Sequence, residues 1–119
     1  MNSCEFGKEG EHYAATILEA DGFEIIFRNF RIKIGEIDLI ALKNQTLYFF
    51  EIKTYRPHLG YIPEQAITLS KIKKMQKVGM VFYSKYRRSH KVGCRFELIK
   101  VKIVQQNFVG IERIPIRLS

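Results

Sequence analysis

Along residues 5–21 the apolar positions Phe6, Tyr13, Ala14, Ile17 and Leu18 recur near helical spacing, and Asp21-Gly22 supplies a stop. The pattern predicts an amphipathic helix. Phe23–Phe30 is dense in β-branched and aromatic residues and predicts a strand. Ile34–Leu42 and Thr46–Tyr55 predict two more, separated by the turn-like Lys43-Asn44-Gln45. After Pro57 and Gly60, the run Pro63-Glu64-Gln65-Ala66 reads as the first turn of a helix, where proline is tolerated. Leu69, Ile72, Met75, Gln76, Gly79, Met80 and Tyr83 then form one stripe to about Tyr86, with the lysines largely on the other faces. Phe96–Val104 and Phe108–Ile114 predict two final strands joined by Gln105-Gln106-Asn107. The order is α-β-β-β-α-β-β. It predicts one α/β domain over residues 1–119, a central mixed β-sheet flanked by helices, without repeat or linker.

Composition narrows the class. At 119 residues and 14.0 kDa the chain is long enough to bury a core without a disulfide or a metal. Its two cysteines, Cys4 and Cys94, show no metal-ligand spacing, which excludes a disulfide scaffold or zinc finger and favours a reducing compartment. No segment approaches the length of a membrane span, and the polar start lacks the pattern of a signal peptide, so the expectation is a soluble, cytoplasmic protein. The net charge of +8 is unevenly spread. Residues 1–38 carry −4 and the remainder +12, with eight bases and no acid between Thr68 and Lys91. A block of that kind on an ordered helix can follow a phosphate backbone, or simply be a solvated face. The missing acids favour the anion-binding reading.

Two strands place acids where a core would not. Alternation puts Glu36 and Asp38 on one face of Gly35-Glu36-Ile37-Asp38-Leu39-Ile40-Ala41, and Glu51 and Lys53 on one face of the next strand. If Asn44-Gln45 is a two-residue turn, opposed residue numbers sum to 89, so Asp38 faces Glu51 and Glu36 faces Lys53. Directly opposed side chains come close enough for two carboxylates to share a divalent cation. Such a pair repels unless something neutralises it, and a hard cation such as Mg²⁺ or Mn²⁺ does so. Lys53 would orient a water or stabilise charge on phosphorus. The alternative is an ordinary salt bridge from Lys53 to Glu51 or Glu36, and spacing alone leaves both open.

The series Gly7-x-x-Gly10-Glu11, Arg28-Asn29-Phe30-Arg31, Gly35-Glu36-Ile37-Asp38-Leu39-Ile40-Ala41, Phe50-Glu51-Ile52-Lys53-Thr54, Pro63-Glu64-Gln65-Ala66-Ile67 and Lys71 resembles the YraN-like bacterial family. That family belongs to the restriction-endonuclease-like PD-(D/E)xK nuclease superfamily, and the match runs from about Phe6 to Tyr86. The resemblance implies a restriction-endonuclease-like core and a metal-dependent nuclease or nuclease-like DNA-processing protein. It implies Asp38, Glu51 and the backbone carbonyl of Ile52 as metal ligands, with Lys53 as the catalytic lysine. Glu11 looks like the helix glutamate of archaeal Holliday-junction resolvases, which suggests branched or structured DNA and a homodimer. Gln65 corresponds to a glutamine that some members place on the following helix. Where a common family pattern has arginine directly after Glu-x-Lys-Thr, this chain has Tyr55 and then Arg56. Arg56 is therefore a phosphate-contact candidate, beside Lys71, Lys74 and Lys77 of the basic helix.

The remaining features weigh less. His12, His58 and His90 show no ligand spacing, and no nucleophile elbow or phosphate-binding loop is present. Phe27, Phe30, Tyr48, Tyr55 and Tyr61 could stack on splayed bases, although strand aromatics are usually core. Two rival functions use the same features: a nucleic-acid-binding module with a nuclease fold and no catalysis, and an adaptor for a protein partner.

Overall fold

One five-stranded sheet, in the order β1-β2-β3-β4-β5, carries a helix on each face. The structure, a computed structural model, describes residues 3–60 and 62–117, with side chains from Phe6 onward. Tyr61 and the side chain of Cys4 lie outside the described residues. The elements are α1 (Ser3–Ala20), β1 (Glu24–Ile32), β2 (Gly35–Lys43), β3 (Thr46–Tyr55), α2 (Leu69–Tyr86), β4 (Gly93–Val104) and β5 (Asn107–Pro115). Their order is the expected one. Strands β3 and β4 run parallel, with α2 as the crossover, and every other neighbouring pair is antiparallel. The sheet is therefore mixed.

Local chemistry sets the ends of the elements. Helix α1 stops because Gly22 takes φ +97, a conformation that costs glycine nothing. Its N–H donates to the Glu19 carbonyl (3.1 Å), and that of Phe23 donates to the Leu18 carbonyl (2.9 Å). This double closure satisfies the last carbonyls and turns Phe23 into the core. Lys43 ties the same helix end to the β2–β3 hairpin by donating to the Asp21 carbonyl at 2.6 Å. Helix α2 begins later than the proline predicted. Pro63–Ala66 forms a separate 3-10 turn, Ile67 is extended, and Thr68 caps α2 by accepting from the Lys71 N–H (3.2 Å).

Each face of the sheet has its own core. On one side Ala14, Ala15 and Leu18 of α1 pack with Leu39, Phe50, Ile52 and Ile99. On the other, Met75 and Val78 of α2 pack with Ile37, Ile40, Leu47 and Phe49. Two glycines let the helices come close. A Cβ on Gly10 would collide with Cγ2 of Thr54 in β3, and one on Gly79 would lie 2.6 Å from the Phe96 ring. Among the described residues no helix is long and apolar enough to cross a membrane.

Candidate active site

Asn44 (φ 49) and Gln45 (φ 60) form a two-residue turn. Pairing runs from Lys43 with Thr46 to Leu39 with Phe50, so residue numbers sum to 89, the expected register. The ladder then stops, one pair short of Asp38 and Glu51. Alternate pairs of an antiparallel ladder exchange both backbone bonds, and after Leu39–Phe50 the next such pair would be Ile37 with Ile52. Instead the Ile52 N–H donates to Oδ2 of Asp38 at 2.7 Å. The aspartate thus fills the fork where β2 leaves β3. In a strand the carbonyl and N–H of one residue point to the same edge, so the Ile52 carbonyl also faces this fork.

Strict alternation also fails at Asp38. Ile37 and Leu39, two residues apart, belong to opposite cores. On the β1 side the pairing skips from Arg28–Leu39 to Phe30–Ile37, and the omitted residue opposite Asp38 is Asn29, in the left-handed conformation at φ 54. Strand β2 therefore rotates at Asp38, losing regular pairing on both flanks. The expectation that Glu36 and Asp38 share a face, with Asp38 squarely opposite Glu51 and Glu36 opposite Lys53, needs this correction. Asp38 lines an open cavity of about 680 Å³ on the α1 side, with Glu11, His12, Arg28 and Arg31. Glu51 and Lys53 line one of about 190 Å³ on the α2 side, with Lys71 and Lys74. Glu36 lines both.

The acids feel one another through the fork. Burial first, and then the Glu51 charge, push the Asp38 carboxyl up to about 7, against the donated Ile52 N–H, which favours its charged form. Burial raises Glu51 as well; the ammonium of Lys53, 3.3 Å from Oε1, and the charge of Lys71 pull it back. Glu11 is raised by burial and by Glu36 and Glu51, and its Oε1 is buried without a hydrogen-bond partner among the described residues. Glu36 is exposed and held by Arg31, whose Nη2 lies 2.8 Å from Oε2. The contrast is Glu97, 4% exposed yet satisfied by a bidentate Arg113 at 2.7 and 3.1 Å.

Glu11 reaches the fork because Gly10 lets α1 sit against Thr54 of β3. Lys71 and Lys74 border the Glu51 cavity at the N-terminal end of α2, where the lysines and the helix dipole both favour an anion. Lys77 lies one turn further along that helix, beside Lys73 and Lys74. Arg56 is turned elsewhere, its guanidinium 4.4 Å from the Phe6 ring centroid. Gln65 is exposed on the separate 3-10 turn rather than on α2. Arg31, the partner of Glu36, is not singled out by the sequence, although the Arg31–Glu36 pairing follows once β1 and β2 are set in register. Nor is Gly10 marked in the sequence beyond its place in a motif.

The donor set suits a hard cation. Among the described residues no three His, Cys, Asp or Glu side chains close into an all-protein metal cage. Magnesium does not need one, since it keeps several waters and is held through one or two carboxylates. Asp38 and Glu51, the Ile52 carbonyl and the orphaned Oε1 of Glu11 are oxygen donors around one fork, and a positive charge there would offset the cost of burying them.

Relatives across bacteria share most of this chain. A protein of Caldicellulosiruptor saccharolyticus is 37% identical over 110 residues, covering 92% of each chain. One from Chlorobium chlorochromatii is 34% identical over 86% of this chain and 78% of its own. Another from Acinetobacter baylyi is 35% identical over 91% and 82%, respectively. All three are named as UPF0102 proteins. The sequence profile described as "Uncharacterised protein family UPF0102" matches residues 10–101, from the glycine that admits α1 to the middle of β4. The chain belongs to that family, the YraN-like family that its motif series resembles.

Proposed function

We propose that this protein is a metal-dependent nuclease that hydrolyses phosphodiester bonds in DNA, working in the cytoplasm. The observation that carries the reading is the interrupted β2–β3 ladder, with Asp38 bound to the Ile52 N–H and its carboxyl raised to about 7 beside Glu51. A sheet has no structural need for such an arrangement. It is costly without a cation and suited to one.

In this reading Asp38, Glu51 and the Ile52 carbonyl hold the cation, and Glu11 supports its shell from α1. A bound Mg²⁺ or Mn²⁺ would polarise a phosphoryl oxygen and acidify a water. Lys53 is close enough to Glu51 to share its charge, and its ammonium would orient the attacking water or stabilise charge on phosphorus. Lys71, Lys74 and, further along, Lys77 would hold the flanking phosphates. Branched DNA and a homodimer rest on the resemblance of Glu11 to the resolvase glutamate. The observations leave Arg56 and Gln65 without a part in this scheme.

The test is cleavage of single-stranded, duplex, flapped and four-way-junction DNA with Mg²⁺, Mn²⁺ or chelator, by wild type and Lys53→Ala. The expected result is metal-dependent cleavage, reduced at least about 100-fold in the variant. Salt-sensitive binding without cleavage of any substrate would overturn catalysis and leave a nucleic-acid-binding module.

A further inference from the structure

Aromatic side chains gather at the far end of α2 from the carboxylates. Phe27 and Phe30 of β1 meet Phe82 of α2 edge-on, with ring centroids 6.1 and 5.2 Å apart. Phe82 stacks on Tyr86 (5.8 Å, 21°), and Tyr86 on His90 (4.0 Å, 11°). His90 Nδ1 lies 3.1 Å from both the Tyr86 carbonyl and the Ser89 hydroxyl, which fixes the imidazole parallel to the phenol. The column runs from the edge of the α2-side core out to solvent. Phe27 is 46% exposed, His90 is exposed, and a cleft of about 310 Å³ opens between Phe30, Phe82, Tyr86 and the exposed Lys85.

The exposed rings at the two ends of the column, Phe27 and His90, offer π-faces, with the half-buried Phe82 and Tyr86 stacked between them, and the charge beside them says what they suit. Lys85, Arg87, Arg88 and Lys91 follow or interrupt the aromatic residues, in a stretch from Thr68 to Lys91 without an acid. Glu24 of β1 is the carboxylate that Tyr86 feels. An apolar protein segment would gain little from four cations, whereas a nucleic-acid strand uses both the rings and the charge. A duplex hides its base faces inside the stack, so only unpaired bases can lie on the rings.

We propose that the exposed rings of Phe27 and His90, braced by Phe82 and Tyr86, form a stacking ledge for unpaired bases, so that the preferred nucleic acid carries a single-stranded segment. This rests on the nucleic-acid reading of the basic helix. Lys71, at the carboxylate fork, and Tyr86 are fifteen residues apart on α2, on the order of 22 Å at 1.5 Å per residue. That spans on the order of six stacked bases at roughly 3.4 Å each. The lysines between would follow the intervening phosphates.

The test is binding without metal, in chelator at one salt concentration, so that it is independent of cleavage. Three fluorescent 12-mers serve as probes: a single strand, a duplex, and a strand of equal charge whose central six positions are abasic. Wild type is expected to bind the normal strand about tenfold or more tightly than the abasic one. The double variant Phe27→Ser/His90→Ala, at two exposed positions, is expected to lose that difference while keeping its duplex affinity. Equal affinity of wild type for normal and abasic strands would overturn the ledge, whatever the variant's stability. So would a variant that weakens duplex binding as much as single-strand binding. Failure to bind any of the three probes would instead overturn the nucleic-acid reading itself.

Discussion

Asp38 does two things at once: its Oδ2 takes the N–H that the β2–β3 ladder would have used, and its carboxyl sits buried beside Glu51. The second has a measurable consequence. In the folded protein the group holds its proton to about pH 7, against an ordinary value of 3.8. Between those limits the folded state binds more protons than the unfolded one, so stability falls as pH rises. What is fully present below about pH 4 is gone above about pH 7. Asp38→Asn keeps an oxygen for the Ile52 N–H and has no charge to bury. In chelator it is expected to exceed wild type by roughly 1–3 kcal/mol near pH 8 and to match it near pH 4. Urea denaturation at the two pH values checks this; an equal difference at both would mean that charge burial is not the cause. Asp38, Glu51 and Lys53 were legible as candidates because charged residues stand out in apolar strands. The rotation of β2 was not, since alternation assumes an unbroken ladder, and only the Asp38–Ile52 bond and the turned Asn29 show where it breaks.

At the scale of elements, the fork depends on how closely α1 lies on β3. Gly10 has no room for a Cβ, and the next residue is Glu11, with its buried and unpartnered Oε1. Gly10→Ala must lift or shift the helix against the β-branched Thr54, at a cost of about 1–3 kcal/mol. It is also expected to weaken divalent-cation affinity, because Glu11 moves with the helix. Gly7→Ala, on the same helix with open space around it, is expected to leave affinity unchanged. Thermal melts and cation titrations of both variants check the pair of outcomes, and equal affinity losses would remove the helix position from the explanation. The elements themselves were readable from periodicity, as α1 and β3 illustrate. The start of α2 is not where Pro63 predicts it, because that proline opens a 3-10 turn and the cap that starts the helix is Thr68. Both signals are present in the sequence, and only the extended Ile67 between them decides which one governs.

Across the whole molecule the fold turns a charge gradient along the chain into a spatial juxtaposition. Glu11 arrives at the fork from the acidic N-terminal part and Lys71 from the basic part, on opposite faces of one sheet. If α2 follows a phosphate backbone, its lysines release counterions on binding. Replacing Lys71, Lys74 and Lys77 together by alanine is expected to lower the slope of log affinity against log salt by about 2–3. Anisotropy titrations over a range of salt concentrations measure it, and an unchanged slope would place the phosphate contacts elsewhere.

On the proposed function, the fork between β2 and β3 holds a divalent cation. Calorimetric titration of Mn²⁺ into the wild type, Asp38→Asn and Glu51→Gln near pH 7.5 tests it directly. One site per chain in wild type, lost or weakened at least about tenfold in both variants, is the result predicted. Absence of binding in wild type, or affinity untouched by either substitution, would contradict it.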